Sequence, residues 1–517
     1  RNDGGGAFTD ISAPLVGRNG GAAAWGDYDN DGDLDLVISG YTGTVFATTP
    51  YRNDAGSFTD TGTPLMGVGS ASLAWGDYDN DGDLDLVISG NTDSGPATKV
   101  YRNDGSGVFT DAGIPLIGVA SGSVGWGDLD GDGDLDLVIT GNASGGRTAR
   151  VYRNDGNGVF TDIGAALAPV SNGGVALGDY DNDGDLDILL TGSSADGVIA
   201  KIYRNDGGLI FVDTGAQLYG VDGAAAWCDF DNDGDLDVIV TGSNTTKVYR
   251  NEGSDGFVDI GAWLGGTSGG SLACGDYDND GRLDIALAAG SPSGSPTLLY
   301  RNNTPVANTP PSAPSGLTAR WGPSSTTFSW NAASDAQTTA VGLTYNLRVG
   351  TTPGGDQISS AMAAAASGYR RVVRSGNANH HLQWTLALPP APFYYWSVQA
   401  VDPAFAGSPF AAEFAADVPS QPQIPQNRLF QNRPNPFNPE TIIPYSVAAK
   451  GKVTIGIYDI SGRCIRTLVD AVKDPGIYQT RWTGELDSGG KAASSIYFYR
   501  ITYPDGASLA KKMALLR

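Results

Sequence analysis

Glutamate is almost missing from this chain, with 4 residues against 53 aspartates in 517 positions. Good helix formers are sparse and glycine is abundant at 74 residues, a balance that favours short strands and tight turns over helices. No run of 18 apolar residues occurs, so no segment reads as a membrane-spanning helix. Basic residues are outnumbered 32 to 57 and the net charge is −25, which sets aside nucleic acid and anionic membrane surfaces as partners. Three cysteines, Cys228, Cys274 and Cys464, are too few for a disulfide framework. Cys228 and Cys274 stand one position apart in equivalent strands, which predicts side chains on opposite faces and small buried thiols. The two histidines, His380 and His381, are adjacent, and neighbours on a strand face opposite ways, so neither is expected to bind metal or catalyse. With no histidine in the first 303 residues and no HExxH anywhere, histidine-dependent hydrolase chemistry has no base there.

What the chain does contain is one stretch written six times. GDYDNDGDLDLVISG (26–40) recurs at 76–90, 127–141, 178–192, 228–242 and 275–289, at intervals of 47 to 51 residues. Each unit of about 50 residues reads as four short strands, the sequence signature of a β-propeller blade. After TLLYRNN (297–303) the last unit lacks its fourth strand, and AFTDI (7–11) is a strand of that type without a unit of its own. Pairing them predicts a six-bladed propeller closed by its N-terminus, with seven blades as the alternative. The chain opens inside a repeat, at RNDGGGAFTD, with no signal peptide, which suggests a processed or truncated start. Trp25, Trp75, Trp126 and Trp227 share one repeat position with Leu177 and Cys274, which reads as packing between blades rather than a sugar platform.

The acidic stretch follows D-x-D-x-D-G-x-x-D. Oxygens at positions 1, 3, 5 and 9 and the backbone carbonyl of position 7 can wrap a hard cation of calcium's size. The carboxylates are Asp27, Asp29, Asp31 and Asp35 in the first loop and Asp77, Asp79, Asp81 and Asp85 in the second. They are Asp128, Asp130, Asp132 and Asp136 in the third, and Asp179, Asp181, Asp183 and Asp187 in the fourth. The fifth has Asp229, Asp231, Asp233 and Asp237, the sixth Asp276, Asp278, Asp280 and Asp284. Position 7 is Asp33, Asp83, Asp134, Asp185, Asp235 and, alone in breaking the pattern, Arg282. An EF-hand needs glutamate at position 12; here it is Ile38, Ile88, Ile139, Leu190, Val240 and Leu287, each inside a strand, which excludes that motif. The expectation is about six structural calcium ions, one per repeat. At millimolar calcium and dissociation constants of roughly 0.1–1 mM, each contributes about 0.4–1.4 kcal/mol.

On these loops, residues 1–303 resemble the FG-GAP/VCBS-repeat propellers, in which such loops bind calcium between the first two strands of a blade, away from the usual ligand face. A Pro-rich linker (304–316) leads to residues 317–418, where LTARW, TTFSW, LTYNLRVG and FYYWSVQAVD alternate as strands and resemble a fibronectin type III domain. A second linker (419–426) precedes residues 427–517. There NPFNPET, GIYQTRW and IYFYRI resemble the Ig-like C-terminal sorting domain of type IX secretion, also FlgD-like. The fold class is therefore all-β, a propeller followed by two β-sandwiches, and the resemblance implies a bacterial protein, secreted or at the outer cell surface.

The leading reading is a non-enzymatic, calcium-stabilised adhesion or recognition protein that binds a glycan or an extracellular protein. A structural subunit of an extracellular filament or surface layer, binding copies of itself, is the second reading, and a polysaccharide-acting enzyme the third. The working surface is expected on the turns between second and third strands, at 41–50, 91–99, 142–150 and 193–201, with the shorter 243–247 making it lopsided.

Overall fold

The computed structural model describes residues 1–3, 7–105, 107–266, 268–290, 297–322, 325–389, 393–417, 427–432, 434–474 and 476–516. The second linker, 419–426, lies outside them. Arg1–Asp417 forms one compact unit and Val418–Arg517 another.

In the first unit the repeats fold as antiparallel sheets in simple chain order, consistent with propeller blades. Sheet two is typical, with strands Gly69–Gly76, Asp85–Thr92, Gly95–Asn103 and Phe109–Asp111. In sheets two to five the second strand reads DLVISG or a close variant and is buried along nearly its whole length, because sheets cover both of its faces. The cores lie between sheets: Val37 of sheet one packs with Leu86 and Ile88 of sheet two, and Val87 and Val100 pack in turn with Leu137 and Ile139 of sheet three. Glycines let the sheets approach. A Cβ on Gly26 would stand 2.9 Å from the Trp75 ring, and one on Gly178 2.9 Å from the Trp227 ring. The repeated tryptophan is thus a packing residue, with Trp75 and Trp227 only 4% and 5% exposed.

At the seam between sheets five and six both of these partners are cysteines, and Cys228 and Cys274 form a disulfide. The expectation of separate thiols is corrected here. The one-position offset does put the two side chains on opposite faces, but stacked sheets meet through opposite faces, so the offset is what brings them together.

Ring closure through the N-terminus is also corrected. Sheet six has three strands among the described residues, Ser268–Gly275, Asp284–Gly290 and Thr297–Tyr300, and residues 7–11 do not join them. Phe8 instead bridges Asn2 in a short local hairpin. The long turns between second and third strands prove to be extended hairpins closed by two residues in sheets two to four, Asp93–Ser94, Ser144–Gly145 and Ala195–Asp196. In sheet five the hairpin is shorter, with strands Asp237–Gly242 and Thr245–Asn251.

Residues 315–417 form two three-stranded sheets. Between Thr344–Gly350 and Gln383–Leu386 the chain makes a long excursion with no strand among its residues; AMAAAASGYRR (361–371), which fits no strand pattern, lies within it. The second unit pairs a three-stranded with a four-stranded sheet around Ile443, Ile455, Ile457, Trp482, Tyr499 and Ile501.

Replacing Cys228 and Cys274 together by alanine removes a cross-link spanning 46 residues of chain and should destabilise the first unit by about 2–4 kcal/mol. Denaturant unfolding reads this, and an unchanged midpoint would contradict a stabilising bond.

Candidate metal centre

Each acidic loop joins the first and second strands of a sheet, and its backbone is folded around its own carboxylates. Position 4 is left-handed, with Asn30, Asn80, Asn182, Asn232 and Asn279 at φ from 55° to 58° and Gly131 at 73°; glycine at position 6 has φ between 80° and 98°. Those residue types tolerate such angles. The turn aims the N–H groups of positions 5 and 6 at the first carboxylate: Asp31 and Gly32 donate to Asp27 at 3.1 and 3.0 Å. The position 9 carboxylate accepts from position 2 and from the third strand, as Asp35 does from Tyr28 (3.0 Å) and Asn53 (2.8 Å). Position 5 accepts from the N–H of position 7, as Asp81 does from Asp83 at 2.9 Å.

One oxygen from each of positions 1, 3 and 9 gathers within 4.8 Å in loops two to five: Asp77–Asp79–Asp85, Asp128–Asp130–Asp136, Asp179–Asp181–Asp187 and Asp229–Asp231–Asp237. In the first loop the group is Asp27–Asp29–Asp31. Position 7 carboxylates turn away and accept from the position 4 asparagine of the preceding loop: Asn30 to Asp83 at 2.8 Å, Asn80 to Asp134 and Asn182 to Asp235 at 2.7 Å. Those side chains tie loop to loop.

The donor set fits a hard divalent cation. Oδ1 of Asp29, Asp79, Asp231 and Asp278, all at position 3, is buried without a hydrogen-bond partner, as a metal-facing oxygen would be. Burial first, then neighbouring carboxylates, pushes Asp27, Asp136, Asp179 and Asp237 up to about 7 and Asp35, Asp187 and Asp229 up to about 8, against the pull of backbone N–H groups. Asp77 and Asp85 are raised for the same reason. Without a cation, burial favours the protonated form of these carboxylates; a bound cation would take the protons' place.

Loop six differs. Arg282 is held at the edge of the cluster: its Nη1 lies 3.5 Å from the Asp280 carboxylate and donates to the Asp280 carbonyl at 3.1 Å, while its Nε donates to the Thr304 carbonyl at 2.6 Å. The intruder is Arg301. In the other sheets the equivalent arginine pairs with an acid two residues on: Arg52–Asp54, Arg102–Asp104, Arg153–Asp155, Arg204–Asp206 and Arg250–Glu252. Here that residue is Asn303, and Arg301 turns onto Asp278 at 2.7 Å and Asp280 at 2.8 Å. The signal was readable as YRNN in place of YRND.

A larger surprise is what covers the loops. Ser360 donates to Asp27 at 2.6 Å, and the Ile358 carbonyl accepts from Asn30. Ala387 donates to the Asn80 carbonyl at 2.9 Å. His381 Nε2 lies 2.6 Å from Asp128 and His380 Nε2 3.8 Å from Asp179. Gln337 and Thr338 pack on Gly234, and Asn308 donates to the Gly281 carbonyl at 2.8 Å. Residues 304–417 thus touch all six loops. The histidines sit in a turn rather than a strand, so the alternation that dismissed them does not apply. Within 304–316, Val306 accepts from Asn232 at 2.8 Å, a bond for which Arg282 leaves no carboxylate.

Two outcomes follow. Freed of metal by a chelator, the first unit should melt higher at pH 5 than at pH 8, because carboxylates with raised folded-state pKa values hold protons that the unfolded chain releases. With calcium in excess the order should reverse, and thermal melts at both pH values check it. Asn303→Asp should recapture Arg301 and tighten the sixth site, whereas Asp280→Ala should weaken it far more than Arg282→Ala; site-resolved calcium titration separates these.

The model of the FG-GAP-like repeat matches residues 87–139, 128–190 and 229–287, which include loops three to six. No curated protein matches the chain. Among solved structures, dimeric latent PorU from Porphyromonas gingivalis is 12% identical with a TM-score of 0.16 over 89% of this chain; the match spans only 35% of PorU. PorZ, a surface component of the type IX secretion system of the same bacterium, is 12% identical with a TM-score of 0.19 over 96% of this chain and 81% of its own. An α-L-arabinofuranosidase from Fusarium graminearum is 12% identical with a TM-score of 0.33 over 52% of this chain and 88% of its own. Scores this low establish no common fold. The chain carries FG-GAP-like repeats whose acidic loops assemble buried aspartate triads able to hold metal ions.

Proposed function

We propose that this is an extracytoplasmic, calcium-stabilised recognition protein that acts by binding and not by catalysis, its repeats forming a β-propeller. The observation that carries the reading is the covering of the acidic loops by residues 304–417, which leaves the opposite ends of the sheets, the hairpins between second and third strands, as the free and variable edge. Their tips carry Val45, Pro96, Arg147 and Val198 at comparable places, so the surface differs from sheet to sheet. Calcium is the cation that suits all-oxygen donors in an irregular loop. Six such ions would roughly halve the net charge of −25. The disulfide supports a compartment outside the reducing cytosol. Residues 427–517 serve, on their sequence resemblance, as a bacterial export and attachment domain.

Arg150 is not part of the binding edge. It pairs with Asp162 as Lys99 does with Asp111, Lys201 with Asp213 and Lys247 with Asp259, a cross-strand brace common to four sheets. Arg147, exposed at the tip, remains.

The test is binding to a panel of immobilised polysaccharides and extracellular proteins. Val45→Ser, Arg147→Ser and Val198→Ser together should weaken it at least tenfold with the melting temperature unchanged. Ordered polymers in electron micrographs, lost in the same variant, would favour the filament subunit instead. Turnover of a polysaccharide, abolished by changing one carboxylate outside the six loops, would overturn the non-enzymatic reading.

A further inference from the structure

The first seventeen residues make contacts that belong to a sheet of their own. In sheets two to six, the asparagine near the end of the third strand donates to the carbonyl at loop position 2 of the preceding sheet. The pairs are Asn103 to Tyr28, Asn154 to Tyr78, Asn205 to Leu129, Asn251 to Tyr180 and Asn302 to Phe230, at 2.7 to 2.9 Å. Asn2 makes the same bond to Tyr277 of sheet six at 2.9 Å. The same asparagines pair across to a fourth-strand phenylalanine, as Asn103 does with Phe109 and Asn154 with Phe160; Asn2 pairs with Phe8. That phenylalanine packs edge-on or tilted against the preceding sheet's tyrosine, Tyr28 with Phe109 at 5.4 Å and Tyr78 with Phe160 at 5.9 Å, and Phe8 lies tilted 6.4 Å from Tyr277. Residues 1–3 and 7–10 therefore pair as the outer strands of a sheet that follows sheet six.

The same segment leads into sheet one. Val16 donates to the Tyr51 hydroxyl at 3.1 Å, as Met66 does to Tyr101 and Ile117 to Tyr152 where one sheet runs into the next. A sheet that follows the sixth and precedes the first is a seventh.

We infer that the seam between sheets six and one is the place of a seventh blade, with residues 1–3 and 7–10 as its outer edge, and that the seam accepts the inner strands of one more copy of this repeat running into Arg1. Both walls are unfinished. Trp25 of sheet one is 49% exposed where its counterparts Trp75 and Trp227 are buried. On sheet six, the Cβ position of Gly275 meets Val373 of the excursion at 3.4 Å instead of an indole, and Val373 is itself 48% exposed. A cavity of about 630 Å³, lined by Phe8, Ala273, Tyr277, Leu299 and Val373 among others, lies along this wall. The occupant is a copy of the repeat because the walls present the contact set of the other seams.

The test joins a second copy of residues 69–101 to Arg1, in register with the Tyr101–Arg102 junction of sheet two. Acrylamide quenching of Trp25, taken as the difference from a Trp25→Phe protein, should fall severalfold, and calcium stoichiometry should rise by one. Unchanged quenching in a folded, extended protein overturns the inference. Should the extension fail to fold, hydrogen exchange on the unextended protein decides: Asn2→Ala with Phe8→Ala should release the amides of residues 7–17, and no change refutes the docking. A dimer in solution with Trp25 shielded in both copies would mean that a second chain closes the seam, and would also overturn it.

Discussion

Everything in the first unit depends on tolerating five aspartates within nine residues beside strands that must be buried. The backbone does part of this, turning N–H groups of each loop onto positions 1, 5 and 9. It cannot do all of it, since position 3 oxygens of Asp29, Asp79, Asp231 and Asp278 remain without partners and burial raises the position 9 carboxylates and those of Asp27, Asp77, Asp179 and Asp229 above the ordinary carboxylate range. A cation held by the aspartate triads would complete the arrangement. The cost of leaving it out is borne by the first and second strands, which the loop connects and which form the inner part of every sheet.

The loops are also a surface. Asparagine at position 4 of loops one, two and four holds the position 7 carboxylate of the following loop, and residues 304–417 rest on the loops through serine, histidine and backbone groups. Metal binding, sheet-to-sheet packing and the seating of the sandwich thus share the same few side chains. Where Arg282 replaces the position 7 carboxylate, the Val306 carbonyl takes over the asparagine's bond, and where Asn303 withholds a charge, Arg301 leans into the sixth cluster. Small departures from the repeat are absorbed by neighbours rather than left open.

Repetition cuts both ways as a guide. Because six copies share one pattern, any contact can be checked against its counterparts, which is how the disulfide is understood as a substituted glycine–tryptophan seam and Arg150 as a brace. The same repetition made the N-terminal strand look like the missing edge of sheet six, when its partners belong one place further round.

The acidic spacing, the glycine at position 6, the aliphatic second strand and the four-strand period are local properties, and the sequence alone determined them: all-β sheets and acidic loops whose aspartates gather into triads able to hold a metal ion. What it could not determine were contacts between residues distant in the chain. Strand alternation says which face a side chain takes but not which other face it will meet, so Cys228 and Cys274 were separated on paper and bonded in the fold. Nothing local marks residues 351–382 as a cover for loops more than 200 residues away, nor His380 and His381 as partners of Asp179 and Asp128. Those pairings are set by how whole sheets stack and where the sandwich docks, and only the tertiary structure decides them.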